Sequence, residues 1–469
     1  MRKAFKDLEG FEDPKRPKPG LCDRGKSREA YRRDPLDGYV QSNGGFPGQS
    51  FRILLAELVK RSTIAAPQQF DLSSEIVMTQ ELMLEPESLS DIMEQADRAS
   101  YLMSEVRAAI LAPERRKTAP TFNATQLATM CDVDRNQIVY RLGKADLPAG
   151  RINESGNRRV FTLDEAMTWV REYRAKRLRP PGAEAICISI ANFKGGVGKT
   201  TTAMTLAQGL SLKGHRVLLI DTDPQGSLTT LFGIMPDTEV DETQTILPVC
   251  LGQQTSIESA IQATYWSGLD VVCAAPLLFA AEFGLPARQM RETGFEFWNA
   301  LNLAMDDVRE RYDVIIIDTP PALSYVTINA LMASDGILMP LPPNALDAAS
   351  AAQFWRLFSD LAGDLVMHRG VTKEFDFVRV LLTRVDSQDA TAAVVRDWIR
   401  KTYEGKVLPA EIPKTTVASS ASAEFGTVYD VGKYEGNQRT YKRALDAYDK
   451  VTELLEEIIR ASWRRHIAA

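Results

Sequence analysis

Residues 191–204 read ANFKGGVGKTTTAM, with Lys194 and Lys199 five positions apart around Gly195, Gly196 and Gly198. Glycines this dense let successive backbone N–H groups turn toward one point, and such a concavity binds anions. The stretch follows the apolar run AICISIA and leads into TTTAMTLAQGLSLKG, a helical pattern. An anion held there meets the positive end of a helix as well as the amides. In such a loop Lys199 reaches β- and γ-phosphates, and the Thr200 hydroxyl is offered to Mg2+. The usual GxxxxGK[ST] spacing asks for glycine at 193, where this chain has Phe193. The loop is instead KGGVGKT, with the extra cation Lys194 ahead of it. A second cation at a triphosphate stabilises negative charge as it moves onto the leaving oxygen.

Two further stretches, RVLLIDTDPQGSLT and YDVIIIDTPPAL, each end an apolar run on aspartate. A single aspartate after an apolar run is a weak signal by itself, and Asp221, which ends its run, reads as structural. The elements that must position these groups are short: AICISIA, RVLLID, LDVVCAA, DVIIID, GILMPL and FVRVLLT. They are continuous apolar runs, as strands buried on both faces require. Helical patterns of crossover length separate them. The expected fold is α/β, a doubly wound, mostly parallel sheet whose ligand site lies at the strand C-termini.

KGGVGKT is similar to the deviant Walker A motif of the ParA/MinD superfamily of ATPases. DTDPQG and the run ending in Asp318 resemble that family's second motif and its Walker B, and AEIPKTT…AEFGTVYD resembles its conformation-sensitive loop beside the adenine. The likeness spans roughly residues 184–460. It implies ATP and Mg2+ as cofactors and a homodimer that sandwiches two nucleotides, with the early lysine crossing to the partner's phosphates. Nucleotide contacts would come from Lys194, Gly195, Gly196, Val197, Gly198, Lys199, Thr200, Thr201 and Pro413. Lys194, Lys199 and Asp223 would be catalytic, and Thr200, Asp223 and Asp318 would hold the metal. The motifs contain no strongly poised base, so hydrolysis is expected to be slow alone and stimulated by a ParB-type, centromere-binding partner. LLTRVD also resembles the guanine-reading [NT]KxD element, with Arg384 where that element has lysine.

The chain has 469 residues, 44% hydrophobic and 25% charged, which predicts two or three domains. Residues 1–80 are rich in Pro, Gly and Arg and are expected to be poorly ordered. Residues 81–117 hold a long helix opened by a Ser88/Asp91 capping box. Its seam of Leu89, Ile92, Ala96, Ala99, Met103, Val106 and Ile110 suits pairing with a second helix, or docking on its own domain. Residues 118–180 read as a winged helix-turn-helix, and 184–469 as the ATPase domain, with LRPPGAE as a linker. Between Pro113 and Pro180 there are 14 Lys or Arg and 8 Asp or Glu, so the net charge of −6 divides into +6 here and −12 elsewhere. A basic segment in an acidic chain points to a nucleic-acid contact.

In NATQLATMCDVDRNQIVYRLGK, Leu127, Ala128, Val133, Ile138 and Leu142 are the expected core of two short helices. Asp134 and Gln137 read as a capping box for the second. Arg135, Asn136, Tyr140, Arg141 and Lys144 then face outward, types that pair with base edges. GRINESGNRRVFT reads as a hairpin carrying Arg151, Arg158 and Arg159 toward phosphates. A Thr162/Glu165 capping box opens the next helix. Larger ParA proteins of plasmids and secondary chromosomes carry such an N-terminal module and repress their own operon. The resemblance therefore implies operator binding through it, and non-specific DNA binding in the ATP state through Arg400 and Lys401.

The combined reading is a DNA-partition ATPase, cytoplasmic and nucleoid-associated, with no membrane expected. Alternatives are a MinD-like membrane-associated ATPase, for which VTELLEEIIRASWRRHIAA would be the membrane helix, and a nucleotide-gated repressor. The N-terminus has no apolar signal core, and no charge-free run approaches the ~18 residues that would span a bilayer. The five cysteines are scattered, read as reduced core thiols, and give no pair to bridge an iron–sulfur cluster between subunits; three isolated histidines argue against a zinc site.

Overall fold

A computed structural model describes residues 87–110, 117–153, 156, 158–367, 373–415, 426–430 and 437–468. The readings made for residues 1–80, for Cys22 and for the side chain of Ile110 lie outside the described residues.

Helix α1 (Leu89–Ile110) begins with the expected box: the Ser88 amide donates to Asp91 Oδ2 at 2.8 Å, and the Asp91 amide donates to Ser88 Oγ at 3.2 Å. Leu89, Ile92 and Met103 on its seam are exposed.

A small α/β unit follows, made of β1 (Phe122–Asn123), α2 (Ala124–Cys131), α3 (Arg135–Leu142), β2 (Arg151–Ile152), β3 (Arg159–Phe161) and α4 (Leu163–Tyr173). Its antiparallel sheet runs β1-β3-β2. Leu127, Ala128 and Ile138 are buried as the apolar pattern requires, with Phe161 and Trp169 beneath them. Asn123 caps α2 in a box with Gln126, and Thr162 caps α4 in a box with Glu165. The capping box expected at Asp134 does not form: Asp134 precedes α3, but its side chain makes no cap hydrogen bond. The Gln137 amide instead donates to the Asp134 carbonyl at 2.9 Å, leaving the exposed carboxylate to solvent. Gly150, with φ +64°, lets the hairpin close: a Cβ there would stand 2.7 Å from the Val160 carbonyl and 2.9 Å from the Phe161 ring.

The main sheet contains β4 (Ile186–Ile190), β5 (Val217–Asp221), β6 (Gln262–Ala263), β7 (Leu269–Val272), β8 (Val314–Asp318), β9 (Gly336–Leu341) and β10 (Phe377–Leu382), in the order β10-β9-β4-β8-β5-β7-β6. Every pairing is parallel except β6 with β7. The six apolar runs are the six parallel strands, and residues in β4, β5, β8 and β9 are buried throughout. The two residues of β6 are too few to show a pattern.

The elements that carry the site are α5 (Lys199–Leu212), α6 (Ser227–Leu231), α7 (Ala281–Arg291), α8 (Ala300–Arg309), α9 (Tyr325–Ala333), α10 (Ala345–Met367), α11 (Ala390–Tyr403) and α12 (Gln438–Ala468). Helix α12 buries a stripe of Ala444, Tyr448, Val451, Leu455, Ile459 and Trp463 against the protein, as expected of a docked terminal helix. Its Glu456 is fully buried and takes two 2.8 Å bonds from the Arg174 guanidinium, with His215 Nε2 3.1 Å away. Burial alone would raise this carboxyl, but the His215 bond and the Arg174 charge outweigh it and pull its pKa down to about 2. Arg174 also donates to the Lys213 carbonyl at 2.7 Å, and Arg171 to the Gly214 carbonyl at 3.0 Å. These bonds tie the C-terminal end of α4 to the end of α5 and to α12.

Candidate functional site

The glycine-rich loop joins β4 to α5 at the C-terminal edge of the sheet. Gly196 and Gly198 have φ of 74° and 91°, where a side chain would strain the backbone. A Cβ at Gly195 or Gly198 would meet nothing within 4 Å, so the loop is uncrowded at both positions. Phe193, at the position where a glycine is usual, packs edge-on against Phe354 of α10 with ring centroids 4.4 Å apart. It anchors the start of the loop. Asn192 accepts from the Lys194 amide at 3.0 Å and donates to the Pro340 carbonyl at 2.9 Å.

Two residues at the end of β10 grip the loop from the other side. Thr383 Oγ1 donates to the Val197 carbonyl at 2.9 Å, and Arg384 Nη1 donates to the Gly196 carbonyl at 2.5 Å. Holding two successive carbonyls outward leaves the neighbouring amides for an anion. The sequence reading weighed Arg384 only as a departure from a guanine element, and this grip depends on a fold contact between residues 188 positions apart. Arg384 adopts φ 53°, a cost that the contact must offset. Arg384→Ala is expected to weaken nucleotide binding by about 10-fold, the scale of one charge-assisted hydrogen bond. Titration calorimetry measures it, with Arg384→Lys recovering part of the loss.

Strands β5 and β8 lie in register, so Asp221 and Asp318 stand side by side. Asp221 accepts from the Thr229 amide at 2.9 Å, the Thr229 hydroxyl at 2.8 Å and the Asp223 amide at 3.1 Å. It is a brace for the turn into α6, as its structural reading expects. Burial pushes its pKa up to about 7. Asp318 differs: it is fully buried, and neither carboxylate oxygen has a hydrogen-bond partner. Burial and then the Asp221 charge push it well above the usual carboxylate range, opposed by the nearby Thr200 hydroxyl and Lys199. A buried carboxylate without donors is costly unless a cation completes it. Lys199 is also buried, and desolvation lowers its pKa against the attraction of Asp318 and Asp223; its Nζ donates to the Lys194 carbonyl at 3.1 Å. Asp223 is half-buried and accepts from the Gln225 amide at 3.0 Å.

Lys194 is half-exposed, and its ammonium pairs with Asp347 in the first turn of α10. Asn344 donates to the same carboxylate and accepts from the Asp347 amide at 2.9 Å. No sequence signal singles out Asp347. Beyond Arg384, a cavity of about 410 Å³ is lined by Val385, Asp386, Gln388, Pro413, Lys414 and Arg443, among others. Pro413 bridges Val385 in parallel fashion, and both residues line this cavity.

The candidate nucleic-acid residues fall in two groups. Arg135, Asn136, Tyr140 and Lys144 are exposed on or just beyond α3, with Lys144 Nζ 4.9 Å over the Tyr140 ring. Arg151 and Arg158 are exposed on the hairpin. Arg141 is braced by Asp146 at 2.8 Å and Glu172 at 3.1 Å, and Arg159 donates to the Ala149 carbonyl. Arg400 and Lys401 lie apart from these at the end of α11, where Arg400 donates to Glu411 at 2.5 Å and Lys401 is exposed.

The family described as "AAA domain" matches residues 185–366. The "Putative replication protein A" of Rhizobium rhizogenes is 31% identical over 392 residues, 80% of this chain and 96% of that protein. The "Chromosome partitioning protein ParA" of Caulobacter vibrioides is 32% identical over 268 residues, 56% of this chain and 94% of its own. A solved structure described as "Partition Protein" shares the fold, with a TM-score of 0.57 at 19% identity, covering 79% of this chain and 98% of its own. With such likeness over nearly the whole length of these curated relatives, and with the glycine-rich, lysine-bearing loop at the end of β4, this chain belongs to the ParA/MinD family of P-loop ATPases, as a partition ATPase of the ParA type.

Proposed function

We propose that the chain binds ATP with Mg2+ between two copies of itself, binds DNA in a nucleotide-dependent way and hydrolyses ATP to release it. The observation that carries this reading is Asp318, buried and without a donor beside Thr200 and Lys199. Asp318 and Thr200 would hold Mg2+, with Asp223 nearby; the ion would neutralise charge on the phosphate oxygens. Lys199 and the amides of Gly195 to Thr201 hold the phosphates, and Pro413 borders the base. Asp223 orients the attacking water. Lys194 leaves Asp347 to meet the phosphates of the partner copy. The exposed seam of α1 adds a second dimer contact.

The helix-turn-helix unit, with Arg135, Asn136, Tyr140 and Lys144, reads an operator, and Arg151 and Arg158 clamp phosphates. Arg141 and Arg159 brace that surface. Lys401, with Arg400 once freed from Glu411, contributes to non-specific binding. A ParB-type partner stimulates turnover, and the protein acts in the cytoplasm on the nucleoid. The membrane alternative loses ground because the apolar stripe of α12 is already buried. No helix among the described residues is long and apolar enough to cross a bilayer.

The test is binding to two labelled duplexes, one from the gene's own upstream region and one scrambled, with ATP, ADP or neither, beside Lys199→Ala. The expected result is scrambled-duplex binding switched on by ATP and abolished in the variant, with upstream binding favoured by ADP. Failure of both duplexes in every nucleotide state overturns the DNA reading.

A further inference from the structure

Lys117 leads into the helix-turn-helix unit, five residues before β1, yet its side chain is 7% exposed. Its ammonium donates to the Leu231 carbonyl at 2.9 Å and pairs with Asp430 at 3.1 Å. It also lies 4.5 Å over the Tyr265 ring. Leu231 is the last residue of α6, the helix that begins directly after the DTDPQG motif. Asp430 belongs to the stretch 426–430 and is itself multiply bound. It accepts from the Tyr265 hydroxyl, from Gln208 Nε2 at 3.2 Å and from the Thr427 amide at 2.8 Å. Gln208 sits on α5, the helix that starts at Lys199, and its side-chain oxygen accepts from the Thr427 hydroxyl.

One buried cation thus joins the entry to the DNA-facing unit with three elements that lead back to the nucleotide motifs. A buried ion pair is poor at adding net stability, but it is strict about geometry, because any displacement strands a charge. If α6 or residues 426–430 move, Lys117 must follow or lose the partner on the element that moves. The chain then has only the four residues 118–121 before β1 begins.

We infer that Lys117, held by Asp430 and Leu231, is the positioning residue through which nucleotide at the phosphate loop sets the position of residues 122–173. The inference rests on the nucleotide-switched reading above and supplies the linkage that reading needs. Coupling of this kind is reciprocal, so DNA on the unit would change nucleotide affinity by the same factor.

The test is hydrogen–deuterium exchange of the full chain with ADP, with a slowly hydrolysed ATP analogue and without nucleotide. Calorimetry confirms binding. In the wild type, nucleotide is expected to change exchange in residues 227–231 and also in 122–173. In Lys117→Met the change in 227–231 remains, while the change in 122–173 is lost. Asp430→Asn, which keeps the shape and removes the charge, is expected to lose it as well. A purely structural role would instead speed exchange of 122–173 equally in every nucleotide state. The inference is overturned if both folded variants keep the wild-type response in 122–173. It is also overturned if the wild type binds nucleotide and shows no response there. If calorimetry detects no nucleotide binding, the ATPase reading fails first and this inference falls with it.

Discussion

Lys194→Ala is expected to lower ATP turnover on the order of 10²- to 10³-fold while leaving nucleotide binding to one copy within a few fold, if the cation acts, as proposed, on a neighbour's phosphates. In one copy the Lys194 side chain is committed to Asp347, and Lys199 is the lysine that lies beside Asp318. Two lysines five residues apart therefore have different partners, and their removal should separate two steps. Lys199→Ala should abolish binding, whereas Lys194→Ala should abolish only the steep rise of turnover with protein concentration. Phosphate release across a protein dilution series, alongside calorimetry, measures the split. Lys194→Ala also leaves the buried Asp347 without its cation, so Lys194→Ala with Asp347→Asn serves as the control for folding. Equal loss of binding in both lysine variants would show that Lys194 serves its own copy.

Asp318→Asn is expected to remove hydrolysis and, at the same time, to flatten the pH dependence of stability. A carboxylate that holds Mg2+ contributes several kcal/mol of charge stabilisation, on the order of 10³-fold in rate. The stability effect follows from burial. The folded pKa of Asp318 is raised well above the unfolded value, so the folded state keeps a proton that the unfolded state releases. The nucleotide-free protein should therefore lose stability as pH rises from the unfolded pKa toward the folded one. Asp221, with a folded pKa of about 7, adds a slope of the same sign that Asp318→Asn leaves in place. Melting curves from pH 5 to 8, with and without Mg2+ and ADP, test both parts. The wild type should gain most from Mg2+ and ADP at the high-pH end, where the proton on Asp318 competes least with the ion. An unchanged pH slope in the variant would mean that Asp318 is solvated in solution.

Much of this was legible in residue order alone. The six parallel strands were visible because a strand buried on both faces must be apolar at every position, and short runs such as VLLID and VIIID have few other uses. The phosphate loop was visible because its chemistry is backbone chemistry: glycines, a lysine and a hydroxyl at fixed local spacing define it without any distant contact. The boxes at Ser88 and Thr162 were equally local, while at Asp134 the exposed carboxylate makes no cap bond.

Everything decided by contacts across the fold was silent. Asp347 became a partner for Lys194 only because α10 begins beside the loop. Thr383 and Arg384 became its outer grip because β10 ends there. The difference between Asp221, fully satisfied, and Asp318, left without a donor, lies in where Thr229 sits after the chain turns into α6. Lys117 reads as one more basic residue in a basic segment until the fold closes Leu231, Tyr265 and Asp430 around it. Local spacing specifies groups that act through the backbone. Burial and pairing of charge depend on which distant segments meet, and that is settled only when the layers pack.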